Sequence, residues 1–258
     1  MCGKFTAMGR WRKVWNFSQP LTVPAKENDS GDSEGGDVAT AATEPDEVVT
    51  YTPGRVIPVI VFDAEKREHV VVPMRWGFPD PKNWKFPRPI HARSETVETK
   101  HPFKFPFRDG KRGIVVMRTF NEGKELVTPR GRKFTEQWTI DPGDGVPRGF
   151  AFVWDRFVIE GLPAPMLACV MVTVPASALV RTIMEGDPDP RMPAILEDAD
   201  WATWLGENDF TLEQAKTVLR TMEGVNWKMA PEPKPPKERS TTRARPKPEK
   251  PERGPSLF

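Results

Sequence analysis

Proline placement limits how this chain can fold more than any other feature of its sequence. Of the 258 residues, 29 are proline, which lacks a backbone N–H donor and so interrupts helices and the interior of β-sheets. Eight of these prolines lie in residues 229–258 beside eight Lys or Arg and four Glu, a composition typical of an extended, disordered tail. We therefore expect one folded domain of residues 1–228 and a tail of residues 229–258.

An acidic stretch interrupts the expected domain. Residues 26–48 contain eight Asp or Glu and one basic residue, and Gly, Ser, Ala and Thr make up most of the rest. Such a segment has too little apolar surface to bury, which predicts a disordered insertion on the surface.

Net charge and cysteine content limit the kind of binding surface and the cellular compartment that we expect. The net charge is only +2, so a basic binding face must come from an uneven distribution of charge. The two cysteines, Cys2 and Cys169, exclude a disulfide framework and fit a reducing cytoplasm. The sequence shows no signal-peptide pattern and no apolar run long enough to span a membrane. We expect a cytoplasmic, monomeric protein without a metal or cofactor.

Apolar runs rich in β-branched residues predict most of the strands. They cover residues 51–62 after an initial turn, then 69–78, 112–122, 149–158 and 166–174. Glu122 lies at the polar end of its strand, and Cys169 lies inside an apolar strand, where we expect an inert thiol. Thr211 and Gln214 form a capping box before an apolar stripe, which predicts a helix over residues 211–222.

The beginning of the chain has a chemical property that no internal residue shares. Removal of Met1 would leave Cys2 with a free α-amine two carbons from its thiol. With an aldehyde, the amine of such a 1,2-aminothiol forms an imine, and the thiol closes on the imine carbon to give a thiazolidine. The ordinary pKa values are about 7.7–8.0 for the amine and about 8.5 for the thiol, so modest shifts make either group nucleophilic. The alternative is that Met-Cys is simply the start of the chain and has no catalytic role.

Two stretches carry side chains that suit a nucleic acid. Residues 79–89 place Trp84 and Phe86 among basic residues, which favours stacking on bases and pairing with phosphates of a single strand. An irregular loop with buried aromatic rings has the same composition. Within residues 90–96, alternation would put His91, Arg93 and Glu95 on one face of an extended segment.

Six short motifs together resemble the SOS response-associated peptidase (SRAP) family, whose members sense abasic sites in single-stranded DNA. They are Met-Cys-Gly-Lys-Phe at residues 1–5, Tyr-Thr-Pro at 51–53, Arg-Trp-Gly at 75–77, Ala-Arg-Ser-Glu-Thr at 92–96, Phe-Asn-Glu at 120–122 and Arg-Met-Pro-Ala-Ile-Leu at 191–196. Each motif is weak alone, but six in the family's order over residues 1–206 make a strong match.

The resemblance implies an α+β fold with a mixed, curved, barrel-like β-sheet and a few peripheral helices. It implies that Cys2 lies at the edge of a positively charged DNA channel and forms a thiazolidine with the ring-opened abasic sugar. The family's catalytic glutamate corresponds to Glu122.

The resemblance also places the DNA contacts. The family's phosphate-binding arginines correspond to Arg93 and Arg191. We further expect Arg75 and Trp76, in the matching Arg-Trp-Gly motif, to contact DNA.

The chain departs from the family pattern at three places. His91 stands where the family has Asn, Gly123 replaces a Trp after the catalytic glutamate, and residues 183–190 lack the histidine that usually precedes Arg-Met-Pro. Opening the abasic sugar ring needs an acid or a base. We expect His91 to fill that role, or Asp189 near the position of the missing histidine, with Asp187 as a weaker candidate.

We therefore expect covalent capture of abasic sites in single-stranded DNA, with a strand-cleaving lyase step left open. One alternative is a peptidase that uses the N-terminal cysteine, in its narrowest form only to remove Met1. Another is a module that binds single strands without covalent chemistry. Ser256, Leu257 and Phe258 at the end of the basic tail resemble peptides that dock on the sliding clamp. The alternative is a frayed tail that ends in Leu-Phe by chance.

Overall fold

The computed structural model describes residues 2–8, 25–27, 48–207 and 211–233, with only the backbone of residues 25–27. In chain order the strands are β1 (Lys4–Met8), β2 (Ala25–Glu27), β3 (Val48–Tyr51), β4 (Val56–Asp63), β5 (Glu68–Trp76), β6 (Pro79–Asp80), β7 (Asn83–Pro87), β8 (His91–Arg93), β9 (Arg112–Val127), β10 (Lys133–Asp141), β11 (Arg148–Phe157), β12 (Met166–Pro175), β13 (Arg191–Pro193), β14 (Ile195–Leu196) and β15 (Lys228–Pro231).

The described helices are few and short. They are α1 (Lys104–Arg108), α2 (Ala178–Arg181), α3 (Trp201–Leu205) and α4 (Leu212–Thr217), with a 3-10 turn at Asp198–Asp200. None of these helices is long and apolar enough to cross a lipid bilayer. The predicted α+β class, with strands in the majority and helices at the periphery, is confirmed.

Thirteen of the described strands form one mixed sheet, and β6 and β7 form a separate hairpin. The main path of the sheet runs β14-β11-β12-β5-β4-β9-β1-β3. Because β9 also pairs with β11, the sheet curves back on itself. Strands β4 and β9 are joined through a single residue pair, Ile60 with Ile114. The predicted curvature is therefore confirmed, but the sheet is not closed into a barrel.

The interior is packed with aliphatic strand residues and aromatic rings. Phe120 of β9 packs edge-to-face on Phe150 of β11, with ring centroids 6.1 Å apart. Gly149 lets α3 lie directly on the sheet, because a Cβ at this position would come within 2.3 Å of the Trp201 ring. Burial of a large apolar side chain stabilises a fold by about 1.5–3 kcal/mol, and such contacts hold the short helices in place.

Strand β9 positions the site because it belongs to both halves of the sheet. Its first half pairs with β11, and its second half pairs with β1 and β10. Lys4 pairs with Asn121, so the beginning of the chain lies against the middle of β9. The predicted position of Glu122 at a strand end is wrong, since β9 continues to Val127 and buries the Glu122 side chain.

Most of the predicted elements are present with changed bounds. Strands β4, β5, β11 and β12 occupy the predicted apolar runs, and Cys169 is buried in β12 as expected. The capping box between Thr211 and Gln214 is formed, but α4 ends at Thr217, before the predicted end at residue 222.

The ends of the predicted acidic insertion are part of the sheet. Lys26 and Glu27 lie in β2, which pairs in parallel with β5, and Val48 begins β3. The rest of the insertion lies outside the described residues.

The predicted domain boundary at residue 228 needs a correction. Residues 229–231 belong to β15, which pairs antiparallel with β10, and the backbone of Glu232 donates a hydrogen bond to the Gln137 carbonyl at 2.8 Å. The sheet therefore includes the first residues of the predicted tail. Ser256, Leu257 and Phe258 lie outside the described residues, and their docking on a clamp stays a prediction.

Candidate active site

Cys2 precedes β1, and its side chain is only 1% exposed. Its Sγ donates a hydrogen bond to the Lys4 carbonyl oxygen at 3.3 Å, and the backbone N–H of Asn121 donates to the sulfur. Burial, and after it the negative charge of Glu122, raises the pKa of the Cys2 thiol to about 12. The thiol is therefore protonated at neutral pH and needs a base before it can attack.

Glu122 places a carboxyl group next to Cys2. Burial raises the pKa of Glu122 to about 7, and the charge of Asp187 adds to the increase. The positive charge of the N-terminus and, after it, the backbone of Cys2 lower the pKa of Glu122. A carboxyl group that titrates near pH 7 both gives and takes a proton at neutral pH, as general acid–base catalysis requires.

His91 fixes the other side of Cys2. Its Nε2 lies 2.6 Å from the Cys2 carbonyl oxygen, and because a carbonyl oxygen only accepts, Nε2 carries the proton. Burial lowers the pKa of His91 to about 4. The ring is therefore neutral at neutral pH, and the expected role of His91 in opening the sugar ring stays a prediction. We call Cys2, Glu122 and His91 the thiol cluster.

Trp76 packs against His91 of the thiol cluster and is not available to DNA. Its side chain is 0% exposed, its ring centroid lies 4.9 Å from that of Phe5, and its Nε1 donates to the Ile90 carbonyl at 3.1 Å. The predicted contact between Trp76 and DNA is wrong, because the neighbouring side chains cover the indole completely.

Arg75 holds the hairpin formed by β6 and β7. Its Nη1 donates to the Trp84 carbonyl at 2.6 Å, and its Nη2 donates to the Lys85 carbonyl. The side chain is half-buried, and its contact with DNA stays a prediction.

Arg191 is used inside the fold. The side chain is 4% exposed, and its two terminal nitrogens bind both oxygens of Glu95 at 2.6 and 2.7 Å. Nη2 also donates to the Thr173 carbonyl at 2.7 Å. The prediction that Arg191 binds phosphate is therefore wrong, because a carboxylate already occupies its two terminal nitrogens.

Arg93 is exposed and makes a surface ion pair. Its Nη2 lies 2.6 Å from Asp189 Oδ2, and Asp189 also lies 3.7 Å from Arg191. Its role as a phosphate contact stays a prediction. We call Arg93, Arg191, Glu95 and Asp189 the arginine cluster.

The structure reverses the expected order of the two acidic candidates for opening the sugar ring, Asp189 and Asp187. Asp189 lies between two arginines, 2.6 Å from Arg93 Nη2 and 3.7 Å from Arg191 Nη1. Asp187, the weaker candidate, is the one whose charge acts on Glu122, and it lines the cleft next to Cys2. If one of the two serves the thiol cluster, the geometry favours Asp187.

The cleft beside Cys2 has mixed charge, which contradicts the expected positive channel. It has a volume of about 910 Å³ and opens between β9, β10 and the loop of residues 184–188. Three of its lining residues are acidic and two are basic. Its charged lining residues are Lys4, Glu125, Lys133, Glu185 and Asp187.

A basic groove lies on the other side of His91. This groove of about 400 Å³ has no acidic residue in its lining. Besides His91, its basic lining residues are Arg88, Arg93, Lys100 and His101. Among the described residues, this groove provides the positive surface that was expected at Cys2.

Exposed aromatic and basic side chains lie on the neighbouring hairpin. Phe86 is 65% exposed, Trp84 is half-buried, and Lys85 Nζ lies 5.9 Å from the centre of the Trp84 ring. The predicted combination of aromatic rings and cations is present at the surface.

Sequence reasoning missed two residues that contact the thiol cluster or its neighbours. Asn121 is buried beside Glu122 in the Phe-Asn-Glu motif, and that position was the available signal. Glu232 binds Lys4 and Asn121, and no pattern in the sequence indicates it. Within the described residues, no three His, Cys, Asp or Glu side chains are placed to hold a metal ion.

The fold and the thiol cluster define a class of protein: a curved β-sheet that holds the second residue of the chain, a cysteine, against a buried carboxyl group. The family model of the SOS response associated peptidases (SRAP) matches residues 1–233. The chain belongs to this family.

The chain is also similar to curated proteins named abasic site processing protein HMCES. It is 28% identical over 185 residues to that of Gallus gallus and 23% identical over 192 residues to that of Pongo abelii. The matches cover 63% and 65% of this chain and 53% and 54% of the relatives. The chain thus spans about half the length of these relatives.

Solved structures have the same fold. A protein from Bordetella bronchiseptica has a TM-score of 0.62 and 18% identity, with 90% of this chain and 100% of that chain covered. A protein from Bacteroides thetaiotaomicron has a TM-score of 0.56 and 18% identity, with 69% and 74% covered. At this identity the similarity concerns the fold alone, and it confirms the predicted SRAP-like sheet.

Proposed function

We propose that this protein captures abasic sites in single-stranded DNA through a thiazolidine formed by Cys2, in the cytoplasm and at the nucleoid when bound to DNA. The observation that carries the proposal is the placement of Cys2 beside the buried carboxyl group of Glu122, whose charge acts on the thiol and whose pKa burial raises to about 7. Amine, thiol and proton-exchanging carboxyl group would then meet at one residue. The abasic-site relatives and the family membership support the same conclusion.

The reaction begins once Met1 has been removed and the Cys2 nitrogen is an α-amine. The neutral amine adds to the aldehyde carbon of the open-chain sugar to give a carbinolamine. Glu122 gives its proton to the departing hydroxyl, so water leaves and a protonated imine remains.

Ring closure returns the proton to Glu122. The carboxylate takes the thiol proton as the sulfur attacks the imine carbon, and the new C–S bond neutralises the imine nitrogen. One water is released for each thiazolidine, and Glu122 ends as it began. A thiol with a pKa of about 12 makes this base necessary, since little thiolate exists at neutral pH.

In this reaction His91 orients Cys2 and does not transfer a proton. A neutral imidazole that donates to the Cys2 carbonyl oxygen at 2.6 Å fixes the position of this residue. The predicted role of His91 in opening the sugar ring therefore passes to Glu122, or to Asp187 across the cleft.

The basic groove and the hairpin supply the DNA-binding surface in this proposal. Arg88, Arg93 and Lys100 line a groove without acidic residues, which suits a phosphate backbone. Trp84 and the exposed ring of Phe86 offer stacking surfaces for unpaired bases. His91 lines this groove and also binds Cys2, so a strand held there would pass next to the thiol cluster.

The test compares three single strands of one sequence. One carries a natural abasic site, one carries a tetrahydrofuran analogue that forms no aldehyde, and one is undamaged. After incubation and boiling in detergent, we expect a shifted band only with the natural abasic site. An equal band with tetrahydrofuran, or no stable band at all, contradicts the proposal.

The same samples separate the alternatives. A module that only binds DNA would retard all three strands in a native gel and lose them in hot detergent. A peptidase would release fragments from a peptide panel whether DNA is present or not.

Removal of Met1 is a second activity that one observation favours. The Glu122 carboxyl group lies beside the backbone nitrogen of Cys2, which is the leaving atom when the Met1–Cys2 peptide bond is hydrolysed. A protonated Glu122 would donate to that nitrogen as water adds to the Met1 carbonyl carbon. In a translation system without methionine aminopeptidase, intact mass should show loss of Met1 from wild type and retention in Glu122→Gln. Equal retention in both contradicts it.

A further inference from the structure

Glu232 joins the end of the described chain to its beginning. Its carboxylate forms an ion pair with Lys4 and accepts a hydrogen bond from Asn121 Nδ2 at 2.9 Å. We propose that Glu232 is a positioning residue that keeps Cys2 enclosed and aligned with Glu122. We call residues 228–232 the C-terminal latch. The inferred effect on adduct formation rests on the function proposed above, whereas the effect on thiol exposure does not.

Both partners of Glu232 contact the Cys2 thiol through their backbones. The Lys4 carbonyl accepts the hydrogen bond from Sγ at 3.3 Å, and the Asn121 backbone N–H donates to the sulfur. One carboxylate therefore holds the two residues that hold the thiol. Its loss would loosen β1 and β9 at the point where Lys4 and Asn121 pair.

The backbone places Glu232 for this role. Strand β15 pairs with residues 138–141 of β10, and the Glu232 N–H donates to the Gln137 carbonyl at 2.8 Å. The side chain then reaches across β10 to Asn121, which also donates to the Trp138 carbonyl at 3.2 Å and to Thr139 Oγ1 at 3.0 Å. A tail that merely followed the domain would not form this ladder.

The contacts differ in strength. Lys4 and Glu232 are each 27% exposed, and such an ion pair alone contributes little in water. The hydrogen bond from the buried Asn121 amide to a carboxylate is charge-assisted and stronger. Together they predict a change of about tenfold in local opening when Glu232 is removed.

The two cysteines of the chain allow a test with an internal control. Cys2 reports local opening at the latch, whereas Cys169, buried in β12, reports global unfolding. Full-length wild type, Glu232→Ala and Glu232→Gln are treated with iodoacetamide, and alkylation of each cysteine is followed by mass spectrometry. Glu65→Ala, in the exposed turn between β4 and β5, is the matched control.

We expect Glu232→Ala to speed alkylation of Cys2 by about tenfold while Cys169 and the Glu65→Ala protein react as in wild type. Glu232→Gln, which keeps an acceptor for Asn121 but loses the ion pair, should give a smaller increase. The charge swap of Lys4→Glu with Glu232→Lys should restore part of the protection. Unchanged alkylation of Cys2, or a parallel rise at both cysteines, overturns the inference.

A second measurement separates this inference from the proposed function. With abasic single-stranded DNA, Glu232→Ala should form the adduct about tenfold more slowly. If wild type forms no adduct but Cys2 protection still depends on Glu232, the proposed function fails and the latch stands. An adduct rate in Glu232→Ala equal to that of wild type contradicts the positioning role.

Discussion

The thiol cluster and the arginine cluster treat their charges in opposite ways. Cys2 and Glu122 are buried beside each other, and burial raises both pKa values. In the arginine cluster each guanidinium meets a carboxylate, and the hydrogen bonds from Arg191 lower the pKa of Glu95. One cluster is left able to exchange protons, while the other is neutralised within itself.

This difference separates residues that can take part in a reaction from residues that hold the fold together. A buried acid whose pKa lies near working pH can give and take a proton during a reaction, whereas a paired carboxylate keeps its charge. The resemblance assigned functional residues to both regions. The thiol cluster contains a carboxyl group that titrates near pH 7, and of the two arginines in the arginine cluster only Arg93 is exposed. Substitutions in the thiol cluster should therefore change adduct formation, whereas substitutions in the arginine cluster should change stability or DNA binding.

The largest expected effect is that of Cys2→Ser. Serine keeps the α-amine but replaces the thiol with a far weaker nucleophile, so the imine hydrolyses and detergent-stable adduct should fall by at least about a thousandfold. Denaturing electrophoresis measures the adduct, and native gels should show unchanged binding of intact single strands. A stable adduct at normal yield would remove the thiol from the reaction.

Glu122→Gln should slow adduct formation by on the order of a hundredfold. Wild type, with a Glu122 pKa of about 7, should lose rate in the proton-donating step as pH rises above 7, and the variant should lack this dependence. Rates at pH 6, 7 and 8 measure it. An unchanged pH profile in Glu122→Gln would show that another group transfers the proton.

The same residue links stability to pH. The pKa of Glu122 rises from about 4.5 to about 7 on folding, so the folded state binds a proton more tightly between these values. The resulting stability is fully present below pH 4.5 and is lost as pH rises through 7, a change of about 3 kcal/mol. Urea unfolding of Glu122→Gln between pH 5 and 8 should show a flatter dependence than wild type. Parallel curves would contradict the raised pKa.

Arg191→Ala should destabilise the fold by about 2 kcal/mol, because it removes the buried hydrogen bonds of the guanidinium to Glu95 and to the Thr173 carbonyl. Arg93→Ala should change stability by less than about 0.5 kcal/mol but reduce the salt dependence of single-strand binding by about one phosphate contact, a slope of about 0.7. Urea unfolding and binding at several salt concentrations measure both. A salt effect in Arg191→Ala with normal stability would return that residue to the DNA surface.

The smallest expected effect is that of His91→Asn. Asparagine keeps a donor for the Cys2 carbonyl, so the rate should fall by about tenfold or less. Because the pKa of His91 is about 4, the pH profile between 6 and 8 should keep its shape. If the rate of His91→Asn lacks a pH dependence that wild type shows between pH 6 and 8, His91 is the proton donor.

The sequence predicted the parts of this protein that depend on neighbours along the chain. Apolar runs located β4, β5, β11 and β12, and Thr211 with Gln214 marked the start of α4, because strand pattern and helix capping are local properties. Cys2 was recognised from its own chemistry, and Glu122 was recognised from the resemblance of its short motif to the SRAP family.

Tertiary structure decided how those residues behave. Trp76 and Arg191 were expected to contact DNA, but the sheet buries both side chains. His91 is half-buried, and burial lowers its pKa to about 4. Burial depends on which distant strands pack on a residue, and no local pattern contains that information.

Glu232 is the clearest case. Composition places it in a disordered tail, yet β15 brings it beside Lys4 and Asn121, 228 and 111 residues away in the chain. Pairing at that separation is decided by the sheet as a whole, because each strand gains hydrogen bonds and buried area only when its partner is already in place. The sequence alone determined the chemistry available at Cys2, and tertiary structure decided its pKa, its enclosure and the residues that hold it.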